Sequence, residues 1–206
     1  MSKKENKKSW YDVTLAQFNA LQEINNIEDE TERMFQMAEV IFGQDVSDMP
    51  LPEFAKKVGE LTFLQEEVPI ITLPKKIVIN DRKYYIDCLL GHITTAQYVD
   101  YQNHSVTGEF NKMLSVFIIP SGHTYNDGYD MLQVMNDLLD LPVPIAYSAA
   151  FFFAKQFKLF MKIFRRYSIK QLKKTNLTKE EKEAIEKMVK SFSDMAFFPL
   201  FSNFAK

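Results

Sequence analysis

A six-residue pattern occurs twice in this chain, and it places the starts of two helices. Val13-Thr14-Leu15-Ala16-Gln17-Phe18 and Ile93-Thr94-Thr95-Ala96-Gln97-Tyr98 lie about eighty residues apart. In each, a threonine is the candidate N-cap, and the glutamine three positions on completes a capping box. The apolar residue before the cap (Val13, Ile93) and the aromatic at the fourth helical position (Phe18, Tyr98) form a hydrophobic staple. Leu15, Phe18, Leu21 and Ile24 continue at helical spacing, and Gln22 and Gln102 also correspond.

The segments after the two copies are alike in outline. Met34-Phe35-Gln36-Met37 aligns with Met113-Leu114-Ser115-Val116, and Val40-Ile41-Phe42-Gly43 with Ile118-Ile119-Pro120. Each run then meets a polar loop and a further helix, Pro52 to Leu64 in the first half and Tyr129 to Leu139 in the second. Two readings stay open: an ancient duplication, or two unrelated helices that share common capping chemistry. With only 6 glycines and 8 prolines, the chain favours long helices over a many-stranded sandwich.

One β signal separates the halves. Lys76-Ile77-Val78-Ile79 and Lys83-Tyr84-Tyr85-Ile86 are β-branched and aromatic runs, and Asn80-Asp81 between them tolerates the positive φ of a tight turn. Pro69 and Pro74 set this hairpin apart from the helix before it. A two-stranded hairpin is marginal alone, so it must pack on the helices or pair with another chain.

The last third is unusual. A helix is expected from Pro144 to about Lys174. At 100° per residue, Phe153, Phe157, Phe160, Phe164 and Tyr167 gather on one face, opposite Lys155, Lys158, Lys162, Arg165, Arg166 and Lys173. The aromatic face suits either the core or a partner. The basic face suits solvent, an acidic partner, nucleic-acid phosphates or an anionic membrane surface. Thr178 and Glu181 form a third capping box, opening a short helix through Ile185, Met188 and Val189. The chain ends in Phe192, Phe197, Phe198, Leu200, Phe201 and Phe204. Eleven of its 18 phenylalanines lie from Phe151 onward, so this end is expected to cover the core or dock into another subunit.

Chemistry-bearing groups are sparse. Cys88 is the single cysteine, beside Leu89 and Leu90, and reads as a small hydrophobe in a reducing compartment. His92, His104 and His123 have no zinc-ligand spacing; His92 reads as helix-start packing or exposure, the other two as loop residues. In the loop from Ser121 to Asp130, Asn126, Asp127 and Asp130 could offer oxygens to calcium, but the alternation and distal glutamate of an EF-hand loop are missing. Turn chemistry at Asn126-Asp127-Gly128 and a helix cap at Asp130 explain that loop better. No phosphate loop or nucleophile elbow occurs. The expectation is therefore no enzyme, no cofactor and no metal. The charged start, Met1 to Lys8, has no apolar stretch behind it, and Lys155, Lys158 and Lys162 interrupt the longest apolar region, Leu141 to Phe164. Neither reads as a membrane segment, and cytoplasmic placement is expected. The net charge of −2 gives no nucleic-acid signature to the molecule as a whole.

The capped helix Thr14-Leu15-Ala16-Gln17-Phe18 leads to Leu51-Pro52-Glu53-Phe54 and Leu61-Thr62-Phe63-Leu64. A hairpin and Thr94-Thr95-Ala96-Gln97-Tyr98-Val99-Asp100 come next. In pattern and order, over roughly residues 11 to 165, this resembles small proteins encoded among virion-morphogenesis genes of tailed bacteriophages. The nearest likeness is to crAss-like and related phages of gut Bacteroidetes, and more remotely to tail assembly chaperones. The basic helix and Phe-rich end depart from the chaperone pattern. The resemblance implies a non-enzymatic virion component or assembly chaperone in the host cytoplasm or the particle. Its partners would be other phage structural subunits and possibly itself, with nucleic acid secondary and membrane unlikely.

The expected fold is mainly α: a helical bundle in two halves, with a central hairpin and an extended C-terminal helical and apolar tail. The expected segments are a basic tail (1–9), two helical halves (10–68 and 91–148) around the hairpin (69–90), the basic helix (149–176) and the terminal helix with its tail (177–206).

Overall fold

The computed structural model describes residues 8–107, 109–172 and 178–194. Helix α1 (Leu15–Ile24) begins where the capping chemistry predicts. The Thr14 Oγ1 accepts the Gln17 backbone N–H at 3.3 Å, and the Gln17 Oε1 accepts the Thr14 N–H at 3.0 Å. The box does more than start the helix. Gln17 Nε2 donates to the carbonyl of Val40 in α2 (Glu30–Phe42) at 2.8 Å, which ties the first two helices together. Gly43 ends α2 in the left-handed conformation at φ 65°, a position that suits a residue without Cβ. Helix α3 (Leu51–Glu60) then runs straight into a 3-10 turn, Leu61–Gln65.

The second half repeats this order. A 3-10 turn precedes the first helix of each half, at Trp10–Asp12 and at Leu90–His92. Helix α4 (Thr95–Thr107) carries the second box, with Thr94 N–H to Gln97 Oε1 at 2.9 Å and Gln97 N–H to Thr94 Oγ1 at 3.2 Å. Gln97 Nε2 donates to the Val116 carbonyl at 2.8 Å, just past α5 (Phe110–Ser115). Helix α6 (Met131–Asp137) again runs into a 3-10 turn, Leu138–Asp140. The shared glutamine clamp pairs Val40 with Val116, where the sequence alignment had set Val40 against Ile118. Burial agrees with the clamp: Ala38 and Ile41 are buried in one half, Leu114 and Phe117 in the other.

The hairpin forms as expected from β1 (Lys76–Ile79) and β2 (Arg82–Ile86), with Asn80 and Asp81 at φ 49° and 61°. Two successive left-handed residues make the turn whose twist matches paired strands. The hairpin is not alone. Ile118–Pro120 forms β3 and pairs antiparallel with β2, giving the order β1-β2-β3. Tyr85 sits opposite Ile119 and Ile86 opposite Ile118, so the second half supplies the third strand from within the chain.

The long helix α7 (Val143–Leu172) joins the two halves. Its start is locked to the start of α1: Leu15 N–H donates to the Leu141 carbonyl and Val143 N–H to the Val13 carbonyl, both at 2.9 Å. Both leading 3-10 turns lie against α7. Ala146, Ala149 and Ala150 are buried there, and side chains this small let neighbouring backbone approach closely. An extended strap over residues 66–75 crosses the region. Trp10 Nε1 holds the Glu66 carbonyl at 3.0 Å, and Ile71 N–H donates to the buried Ser148 Oγ at 2.8 Å. Helix α8 (Lys179–Asp194) opens on the Thr178–Glu181 box and packs on α7; it is longer than the short helix expected. No helix among the described residues is long and apolar enough to cross a membrane.

The polar contact that docks the sheet was not foreseen. Asp137 is buried at the end of α6, and both its oxygens are taken. Oδ1 accepts Gln133 Nε2 (2.8 Å) and Asn80 Nδ2 (3.3 Å), while Oδ2 accepts Tyr84 Oη (2.5 Å) and Arg82 Nη1 (3.0 Å). Asn80 also donates to Asp140 at 2.8 Å, so the β-turn is stitched to the helix end. Burial works against charge on Asp137, but the hydrogen bonds, that from Tyr84 foremost, more than offset it and hold the carboxyl below its ordinary range. Asp137→Ala should cost about 2 kcal/mol in urea denaturation at neutral pH, because it strands the buried Tyr84 hydroxyl. An unfolded aspartate titrates near pH ~3.9. The contribution of Asp137 is therefore complete above that pH and lost as pH falls through the lower folded value. Asp137→Asn should accordingly flatten the acid limb of the stability profile.

Candidate interaction surface

The sequence placed an aromatic face and a basic face on one helix, and α7 carries both. Along its first half the aromatic face is core. Phe153 is fully buried, with its ring centroid 4.5 Å from that of Tyr101 and 5.0 Å from that of Phe117. Phe157 is buried as well and stacks on Tyr98 at 5.5 Å with an interplanar angle of 8°. Phe153 and Phe157 are therefore core and not the partner contacts expected from the sequence, because their rings are covered by Tyr98, Tyr101 and Phe117 of the same chain. Phe160, Phe164 and Arg165 lie on α7 with side chains outside the described set. Lys173, Phe197, Phe198, Leu200, Phe201 and Phe204 lie outside the described residues.

Of the six expected basic positions, four have described side chains. Lys155, Lys158, Lys162 and Arg166 are exposed, and Lys170 joins them one turn on. None of these five forms an ion pair with a described residue, and no aspartate or glutamate occurs anywhere in Val143–Leu172. Next to this cationic row runs an apolar one of which the sequence pattern singled out Tyr167 alone. Leu159 (59%), Ile163 (57%) and Tyr167 (60%) succeed one another at four-residue spacing, with Phe152 (40%) one row before them. Of the predicted aromatic contacts, Tyr167 alone is both described and exposed. A helix period separates faces but cannot say how far along a helix the core extends, so exposed Leu159 and Ile163 read as ordinary apolar positions among lysines.

Apolar side chains on one flank and exposed cations on the other form an amphipathic strip. The strip continues a helix whose first half is buried against both halves of the chain. Such a strip offers apolar area and positive charge side by side on one helix face.

The other chemistry-bearing groups have structural partners. Burial pushes the Cys88 thiol up to about 12, far from the thiolate a nucleophile needs. His92 Nδ1 sits 2.8 Å from Asp87 Oδ2, an exposed pair at a 3-10 turn. His104 lies within α4 rather than in a loop, because the helix that starts at Thr95 runs on past it. His123 remains in its loop, with its ring edge against Tyr129. Asp130 caps α6 by accepting the Gln133 N–H at 3.1 Å, and Asn126 and Gly128 take left-handed turn positions. Tyr125 Oη donates to Asp100 at 2.7 Å and fastens this loop to α4. Among the described residues, no three His, Cys, Asp or Glu side chains are grouped to hold a metal ion. Asp137 and Tyr84 have the look of a catalytic pair, but four donors saturate the carboxylate and leave it nothing to offer a substrate. Compared with known proteins, the chain matches no family, no curated protein and no solved structure.

Proposed function

We propose that this chain is a non-enzymatic bacteriophage structural or assembly protein that works by protein–protein contact through the outer strip of α7. The observation that carries the reading is the strip itself. Leu159, Ile163 and Tyr167 stand exposed in a row beside Lys155, Lys158, Lys162 and Arg166, which form no ion pair with a described residue. Contiguous exposed apolar surface on a well-packed chain marks a contact site. The order of capped helices and central hairpin supplies the phage reading by its resemblance to virion-morphogenesis proteins. The protein would act in the host cytoplasm, within the particle, or in both. The test is fractionation of infected cells and then mass spectrometry of each fraction. Presence in mature particles or in tail, neck or capsid intermediates is expected, and absence from both sinks the proposal.

A second reading is favoured by the run of cations without an intervening acid. There the strip would hold nucleic-acid phosphates in a packaging or regulatory role. It requires salt-sensitive retention of DNA or RNA that weakens in K158E/K162E/R166E. No retention at low salt ends that reading.

A further inference from the structure

The net charge of −2 conceals two strongly opposed regions. Residues 9–68 hold thirteen acidic side chains against three basic ones, Arg33, Lys56 and Lys57. Helix α7 holds six cations and no acid. The acidic charge is densest around the α1–α2 turn, where Glu23, Glu28, Asp29, Glu30 and Glu32 are all exposed. The one cation there, Arg33, turns its guanidinium to the Ile27 carbonyl at 3.4 Å. Met34, at 36% exposure, adds an apolar contact to this surface. Within one chain the two regions do not neutralise each other, since no ion pair joins them among the described residues.

We propose that the occupant of the α7 strip is the acidic α1–α2 surface of a second copy of this chain, so that copies join head to tail. This rests on reading α7 as a protein-contact surface and names the partner. Three observations favour a second copy. The chain itself carries the complement that the strip needs, in sign and with an apolar residue beside it. Its small net charge gives copies little reason to repel at a distance, whereas near-neutral molecules associate readily. The alternative symmetric dimer, α7 against α7, would set two rows of cations face to face, which opposes association. A contact between two different surfaces is heterologous. It leaves one strip and one acidic surface free at the ends, so it grows into a ring or an open filament rather than stopping at two copies.

The experiment is native mass spectrometry and sedimentation of the full chain at 50 mM and 1 M salt, with circular dichroism to confirm folding. Wild type should assemble beyond a dimer at low salt and dissociate at high salt, where screening acts within about 3 Å. Two triple variants, K158E/K162E/R166E and E23K/E28K/E30K, should each bind their own kind at least tenfold more weakly. Mixed together they should assemble again, because the acidic strip of one now meets the basic surface of the other. If either triple variant fails to fold, Lys162→Glu and Glu28→Lys take their places in the same scheme. A wild type that stays monomeric at low salt, a variant that assembles like wild type, or a mixture that stays apart overturns the proposal. A monomer that still co-purifies with virion subunits leaves the contact function standing and removes only the second copy. Binding of nucleic acid by a monomer, lost on reversal of α7 alone, overturns both.

Discussion

Phe153→Ala is expected to destabilise the fold by about 4 kcal/mol in chemical denaturation, the largest loss from any single aromatic of α7. Phe153 is fully buried at the point where α7 passes between the halves, in contact with Tyr101 and Phe117. Removing the ring gives up its transfer from water and leaves a cavity that relaxes only partly. The loss of two ring contacts adds about 1 kcal/mol. Tyr167→Ala, fourteen residues on and 60% exposed, should instead stay within about 0.5 kcal/mol of wild type. If the surface reading of α7 holds, Tyr167→Ala weakens association while Phe153→Ala weakens folding. A Phe153→Ala protein of unchanged denaturation midpoint would mean that the aromatic face is not core at this position.

That contrast marks where sequence reasoning stopped. The period of α7 separated aromatic from basic residues correctly, since Lys155, Lys158, Lys162 and Arg166 are exposed and Phe153 and Phe157 are not. It could not tell a core-facing aromatic from a partner-facing one, because that depends on what lies opposite. Here those are Tyr98, Tyr101 and Phe117, more than thirty residues away. Helix starts were readable because capping is local: Thr14, Thr94 and Thr178 each find their partner three residues on. The hairpin was readable for the same reason, through Asn80-Asp81. Strand β3 was not, since Ile118–Pro120 is three residues long and its partner strand lies far back in the chain. Asp137 and Asp140 flank Leu138 and Leu139 in the sequence, and nothing local pointed to Tyr84 or Asn80.

The choice of glutamine in the two main boxes leads to the other large expected effect. A capping box accepts Glu or Gln equally, because only a side-chain oxygen is needed to reach the N-cap N–H. Glu181 fills the role in the third box. At positions 17 and 97 the amide has a second duty, donating Nε2 to Val40 and to Val116. A carboxylate would preserve the box and lose that bond. Gln97→Glu should therefore cost about 3 kcal/mol, since Gln97 is buried and a charged oxygen would face the Val116 carbonyl with no donor between them. Gln17→Glu, half-buried, should cost about 1.5 kcal/mol, and Glu181→Gln almost nothing. The penalty should also depend on pH. A glutamate facing a carbonyl in the fold titrates above its unfolded value of about 4.3. The folded state then binds the proton more tightly than the unfolded state, so the loss is greatest at neutral pH and shrinks as acid restores a donor. Equilibrium unfolding of the three variants at pH 7 and pH 4.5 checks this, and equal losses at all three boxes would refute it. If Gln17→Glu and Gln97→Glu add in the double variant, the two clamps act independently. One packing solution would then be used twice: a capped helix, a glutamine reaching across, and a second helix held by its carbonyl. That is what relates the two halves more closely than their shared capping residues alone.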